Sequence, residues 1–257
     1  MLILSFGTGS VAQAVLSHKE NGNMFSINVG WGAGVVLGIM ASAPISGAHL
    51  NPAVTIALAV VNKFPWKKVP HYMISQYIGA FIGAAITLLT YREAIVNFSG
   101  SELQVLGENG TAGIFVTFPN NGISNLSGAI DQIVGTALLL ICVLAIGLPG
   151  NNNVSKSLGP LLVGLTVVAI GACFGHNAGY AINPARDFAP RVLLSISGWG
   201  TEIYTAKQTW CWIPMVFCHI GGILGALLYY WGIEVWQNKK SNNHEGPDSL
   251  VLEKAEV

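Results

Sequence analysis

Charge is scarce in this sequence. Lysine plus arginine (12) and aspartate plus glutamate (12) make up only 9% of 257 residues, against about 25% in an ordinary soluble domain. Neither sign is in excess, and a formal net charge of zero excludes the basic footprint of a nucleic-acid binder and an acidic tail. With 52% of residues apolar, disorder is excluded as well. The four cysteines, Cys142, Cys173, Cys211 and Cys218, lie in apolar stretches without zinc-like pairing. They read as buried, reduced thiols rather than a disulfide framework. No nucleophile–base pair or metal-ligand cluster stands out, and His18, His49, His71, His176, His219 and His244 are scattered. Neither an enzyme nor a cofactor site is expected. A chain that lacks the residues for a polar shell but holds 31 glycines, which let helices pack closely in lipid, points to an all-α, multi-pass membrane protein.

A bilayer core of about 30 Å takes roughly 20 apolar residues per helix. Residues 25–44, 69–91, 128–149, 158–175 and 210–231 meet or approach that length, and 1–17 is apolar but shorter. Two further apolar pieces, 51–61 and 183–195, are half a span each and reach only to mid-membrane. They open with matching text. Gly47-Ala48-His49-Leu50-Asn51-Pro52-Ala53 resembles Gly179-Tyr180-Ala181-Ile182-Asn183-Pro184-Ala185, a separation of 132 residues (183 less 51). A duplicated unit with an interrupted helix in each copy marks an inverted repeat. The expected layout is six transmembrane helices plus two half-helices in a membrane domain of residues 1–237. The first repeat takes 1–120 and the second 121–237, and a polar cytoplasmic tail follows at 238–257.

Lys63, Lys67, Lys68, Lys156, Lys239 and Lys240 all fall on one side of that layout, which the positive-inside rule makes cytoplasmic. Both termini are then cytoplasmic, and the loop 92–127 is extracellular. It carries three sequons, at Asn97, Asn109 and Asn125, as candidate N-glycosylation sites. A fourth, at Asn153, faces the cytoplasm and is expected to stay unmodified.

Asn is a preferred helix cap and Pro suits the position after it, so each Asn-Pro reads as a helix start. A helix start at mid-membrane leaves backbone donors unpaired unless it is buried or lines a wet cavity. Each half-helix also brings its positive dipole end, about half a charge, to the centre. Two such ends meeting head-on oppose any cation.

The paired boxes Asn51-Pro52-Ala53 and Asn183-Pro184-Ala185-Arg186-Asp187 resemble the major intrinsic protein (aquaporin) family over about residues 1–236. Within it, Asp187, Arg191 and Pro214 resemble the glycerol-conducting, aquaglyceroporin branch. The resemblance implies an aquaporin fold. It implies a passive channel for glycerol, water and small neutral solutes, sited in a lipid bilayer, the plasma membrane in particular, and assembled as a homotetramer. It also implies a filter of Trp31, Gly171, Tyr180 and Arg186. Trp31 and Tyr180 would face glycerol's carbon edge, while Arg186, a rigid fork of donors, would meet its hydroxyls. Gly171 would leave the tunnel wide. The carbonyls of Gly47, Ala48, His49, Gly179, Tyr180 and Ala181 would form an acceptor ladder, and Asn51 and Asn183 would each donate an amide N–H at mid-pore. Gln132 would brace the opposite half-helix loop. His219 reads as a satisfied buried histidine, and His176 as a residue near the extracellular mouth. The counterpart of Asp131 falls before Met1, so the first helix is expected to be truncated. The alternatives are a water-selective channel or an ion-coupled transporter, for which Asp187 and Asp131 are the acidic candidates.

Overall fold

Helix boundaries follow local chemistry. In this computed structural model, which describes residues 1–100, 102–147 and 155–237, the first helix α1 runs Leu2–Leu16 and the second, α2, runs Met24–Ser46. Asn23 caps α2: its Oδ1 accepts from Phe25 N (2.9 Å) and Ser26 N (3.2 Å), and Ser26 Oγ accepts from Asn23 N (2.8 Å), a reciprocal capping box. The half-helices are α3 (Pro52–Val60) and α7 (Pro184–Leu194). The remaining long helices are α4 (Val69–Ser99), α5 (Asn125–Gly147), α6 (Gly159–Ala178) and α9 (Trp212–Tyr229), and a short α8 (Glu202–Thr209) precedes α9. Helices α2, α4, α5, α6 and α9 are long and apolar enough to cross a membrane, and α1 is a shorter apolar helix. The described residues contain no strand, only one isolated bridge between Gln104 and Gly110. Lys239, Lys240, the tail 238–257 and the sequon at Asn153 lie outside the described residues.

Helices α2 and α6 cross where Gly32 meets Gly164, residues 132 apart in sequence. A Cβ on Gly32 would lie 2.8 Å from Gly164 O, and one on Gly164 would lie 2.7 Å from Gly32 O. Two helix backbones in contact tolerate no side chain there. The outer face is apolar. On α4, Ile74, Ile78, Ile82 and Ile86 recur every fourth residue and are all exposed, the stripe a bilayer would cover. On the side holding Lys63, the Lys63 Nζ donates to Glu234 Oε1 at 2.6 Å, tying the segment after α3 to the turn that ends α9.

Two sequence expectations change. Helix α4 runs eight residues past Tyr91, because nothing from Arg92 to Ser99 breaks a helix until Gly100 (φ +80°). Asn97 therefore sits in helix, not in the loop. The cysteines are all free, as read, but only Cys218 is buried; Cys173 is exposed on α6. A lipid-facing surface is as apolar as a core, so composition did not separate the two.

The segment after Gly100 is folded rather than loose. Ile114, Phe115 and Val116 are buried with Leu194, Trp199 and Ile203 in a second apolar cluster, which holds that loop against α7.

Candidate functional site: paired half-helix loops and a filter

The two loops that precede the half-helices open with the same pair of left-handed residues and part only before the asparagine, where Ile182 (φ +43°) is left-handed and Leu50 is not. Gly47 (φ +73°) and Ala48 (φ +57°) end α2, and Gly179 (φ +71°) and Tyr180 (φ +38°) end α6. Consecutive left-handed residues turn each chain back on itself, a conformation only Gly adopts freely. Asn51 (φ −152°) and Asn183 (φ −150°) then return to extended backbone and cap α3 and α7. Asn51 Oδ1 accepts from Ala53 N at 2.9 Å; Asn183 Oδ1 accepts from Ala185 N at 3.1 Å and Arg186 N at 3.2 Å. Pro52 and Pro184 occupy the first helical positions.

The side-chain amides cross. Asn51 Nδ2 donates to Ile182 O (2.7 Å), and Asn183 Nδ2 donates to Leu50 O (3.0 Å). Each box is thus bound to the opposite loop, and the two half-helix N-termini face one another. A primary amide carries two N–H groups, so one per asparagine is left over from this link. Gln132 Oε1 accepts from Ile182 N at 3.2 Å, so it braces the loop of its own repeat and not the opposite one. Gln76 serves the first loop by donating to His49 O (2.6 Å) and Thr55 Oγ1 (2.9 Å).

A cavity of about 200 Å³ runs past the boxes. Gly47, Ala48, Leu50, Asn51, Tyr180, Ala181, Ile182, Asn183 and Arg186 of the two half-helix loops line it, together with Trp31, Val35, Leu139, Val143, Val163 and Val167 from the long helices. His49 and Gly179 are absent from this lining: His49 O is taken by Gln76, and Gly179 packs on Thr117, whose Cγ2 would lie 3.2 Å from an added Cβ. A second cavity of about 360 Å³ adjoins it at Leu50, Asn183 and Arg186 and extends between α1, α2 and α4 past His49 and Gln76. The His49 ring is packed against Phe64 (4.5 Å between centroids) and Tyr72 (5.3 Å).

Trp31, Tyr180 and Arg186 all line the first cavity, and all three are buried. The Arg186 guanidinium carbon sits 4.1 Å from the Trp31 ring centroid, a cation–π distance, and Arg186 Nη1 donates to Phe115 O at 3.1 Å. Gly171 lies behind Tyr180 rather than on the cavity wall. A Cβ there would come within 2.7 Å of Tyr180 Cζ and 2.5 Å of Asn28 Oδ1. The absent side chain makes room for the phenol.

Asp187 and Arg191 do not touch the cavity. Both are fully buried in a bidentate pair, with Arg191 Nε and Nη2 each 2.9 Å from Asp187 Oδ2. Asp187 Oδ1 accepts from Thr117 N and Thr117 Oγ1, both at 2.7 Å. Arg191 donates to Thr117 O (2.6 Å) and Ile203 O (2.7 Å). Arg186 stands 3.9 Å from Asp187, so its close partners are Phe115 and Trp31. Pro214 is buried in the first turn of α9, where a missing N–H leaves no hydrogen bond broken. His219 Nδ1 pairs with Met215 O at 2.7 Å, but its Nε2 has no partner among the described residues, so this histidine is only half satisfied there. His176 is exposed at the end of α6, and its carbonyl accepts from Asn120 Nδ2. No group of three or more metal-binding side chains occurs among the described residues.

Sequence reasoning missed Asn28, Phe115 and Thr117. Asn28 carried a signal, a polar side chain inside an apolar span; the other two carried none.

A family profile described as "Major intrinsic protein" matches residues 1–229. Aquaglyceroporin-2 of Rhizophagus irregularis is 42% identical over 242 residues, covering 93% of this chain and 77% of that protein. Aquaporin-9 of Homo sapiens is 38% identical over 249 residues, 97% of this chain and 82% of that one. The X-ray structure of the aquaglyceroporin from Plasmodium falciparum superposes with a TM-score of 0.79 at 30% identity, covering 89% of this chain and 90% of the other. Two capped half-helices, cross-bonded at their asparagines and embedded among apolar helices, together with these matches, place the chain in the major intrinsic protein family.

Proposed function

We propose that this protein is a passive membrane channel for glycerol and water, open also to urea and other small neutral solutes, and closed to ions and protons. The observation that carries the reading is the filter. Ring carbon of Trp31 and Tyr180 lines the same cavity as the fixed cation of Arg186, which sits on the Trp31 ring, so apolar and donor surface lie side by side for a molecule with a carbon edge and a hydroxyl edge. Below it, loop carbonyls and the remaining amide protons of Asn51 and Asn183 replace solvent hydrogen bonds one for one, as in aquaporin-type pores. The channel works as a homotetramer in the plasma membrane with cytoplasmic termini.

Osmotic swelling of reconstituted vesicles in mannitol, glycerol and urea gradients tests this. Wild-type vesicles re-swell in glycerol and urea and stay shrunken in mannitol; equal behaviour in all three refutes the filter. The substitution Gly171→Ala forces Tyr180 forward. The added methyl meets Asn28 Oδ1 as well as the ring, and overpacking of this kind costs the fold about 1–3 kcal/mol; the expected result is a fall in glycerol permeability larger than the fall for water.

The sequons differ in setting. Asn109 is exposed in a turn, Asn97 lies within α4, and Asn125 Nδ2 donates to Gln208 O at 3.0 Å. A glycosidase-sensitive gel shift that disappears in Asn109→Gln alone is the expected result; a shift that persists there and is lost in Asn97→Gln or Asn125→Gln contradicts it.

A further inference from the structure

We infer that Asn28 is a specificity-determining, positioning residue, which keeps the Tyr180 corner of the filter apolar by taking the only proton of its hydroxyl. This rests on the filter reading above.

Tyr180 is fixed from three sides. Its backbone is left-handed (φ +38°). Its ring rests on α6, where Cβ atoms added at Gly171 and Gly175 would lie 2.7 Å from Cζ and 3.0 Å from Cδ1. Its hydroxyl donates to Asn28 Oδ1 at 2.6 Å. Asn28 is 3% exposed and sits one turn before Trp31 on α2, so one helix sets both aromatic walls. With back and tip engaged, the ring has one free face to offer a permeant.

Among the described residues the hydroxyl is given one acceptor, Asn28 Oδ1, and Arg186, which shares its cavity, has only donors. Without Asn28 the phenolic O–H would be a buried donor with no partner, which is the costly side of hydrogen-bond loss. The acceptor left to it is an oxygen inside the tunnel. The corner that should meet glycerol's carbons would then hold a donor competing with Arg186 for its hydroxyls, and water would be favoured over glycerol.

A double-mutant cycle in reconstituted vesicles tests this, reading the ratio of glycerol to water permeability by stopped-flow scattering. Asn28→Leu is expected to lower the ratio about fivefold or more. In a Tyr180→Phe background the same change is expected to shift the ratio by less than about twofold, because two apolar groups of matching shape replace a hydrogen-bonded pair. Asn28→Ala, which adds no bulk, carries the same expectation if the leucine variant does not elute as a single species in detergent. If wild type conducts glycerol and Asn28→Leu leaves the ratio unchanged, this inference alone falls. It also falls if the loss is as deep without the Tyr180 hydroxyl, since Asn28 then acts through packing. A wild-type protein closed to glycerol overturns the channel reading and this inference with it.

Discussion

Asp187→Ala is expected to remove most folded protein from the membrane. The carboxylate is fully buried and accepts from two groups of Thr117 while meeting Arg191 through two nitrogens. Deleting it leaves a guanidinium with no counter-charge in a site with no water access, and breaking one side of a buried pair costs about 3–5 kcal/mol. Total stabilities are of order 5–15 kcal/mol, so this is a large share. The damage reaches the filter, because Thr117 and Phe115 belong to one short stretch and Phe115 O receives Arg186. Asp187→Asn keeps an acceptor for Thr117 but loses the charge, so its surface abundance falls between wild type and Asp187→Ala. The measurements are surface labelling in cells and the thermal midpoint of detergent-purified protein. A midpoint for Asp187→Ala equal to wild type contradicts the assignment of this pair as the brace between α7 and the loop that follows Gly100.

Why some of this was readable in the sequence and some was not has a physical basis. The half-helices were visible because every part of their start is local: a glycine for the left-handed turn, an asparagine whose own side chain caps the next residues, and a proline at the first helical position. The same text twice, 132 residues apart, supplied the pairing. Trp31, Tyr180 and Arg186 could be put together by register with related channels, and all three line one cavity. The loop partners were invisible. Phe115 and Thr117 act through main-chain groups that any residue possesses, in a stretch with no hydrophobic period. The role of Gly171 was read as open width, but an empty position in a packed protein is filled by its neighbour, here the Tyr180 ring. Gln132 was assigned to the wrong loop for a related reason: which strand of backbone an inward-facing amide meets is decided by helix crossings, not by spacing along the chain.

Arg186→Val is expected to convert a channel closed to cations into one that leaks them. Arg186 lines the cavity at its filter and is the only Lys or Arg to do so among the described residues. A fixed unit charge 4 Å from a passing cation contributes about 4 kcal/mol at an effective dielectric constant near 20, roughly three orders of magnitude in rate at 1.4 kcal/mol per tenfold. Valine removes that barrier and leaves Phe115 O without its donor, so a hydrated ion finds both a wider opening and an extra carbonyl ligand. The second barrier stays in place, because the N-terminal dipole ends of α3 and α7 still face each other through Asn51 and Asn183. The leak should therefore be partial. Voltage-clamped cells expressing Arg186→Val show a cation current above background while glycerol uptake continues, and a proton-sensitive dye trapped in vesicles reports faster acidification than wild type. Adding Asn183→Asp, which places a negative charge between the half-helix ends, is expected to raise both leaks further. If Arg186→Val reaches the surface and neither current nor acidification rises, the charge at the filter is not what excludes cations, and the barrier lies with the paired half-helices alone.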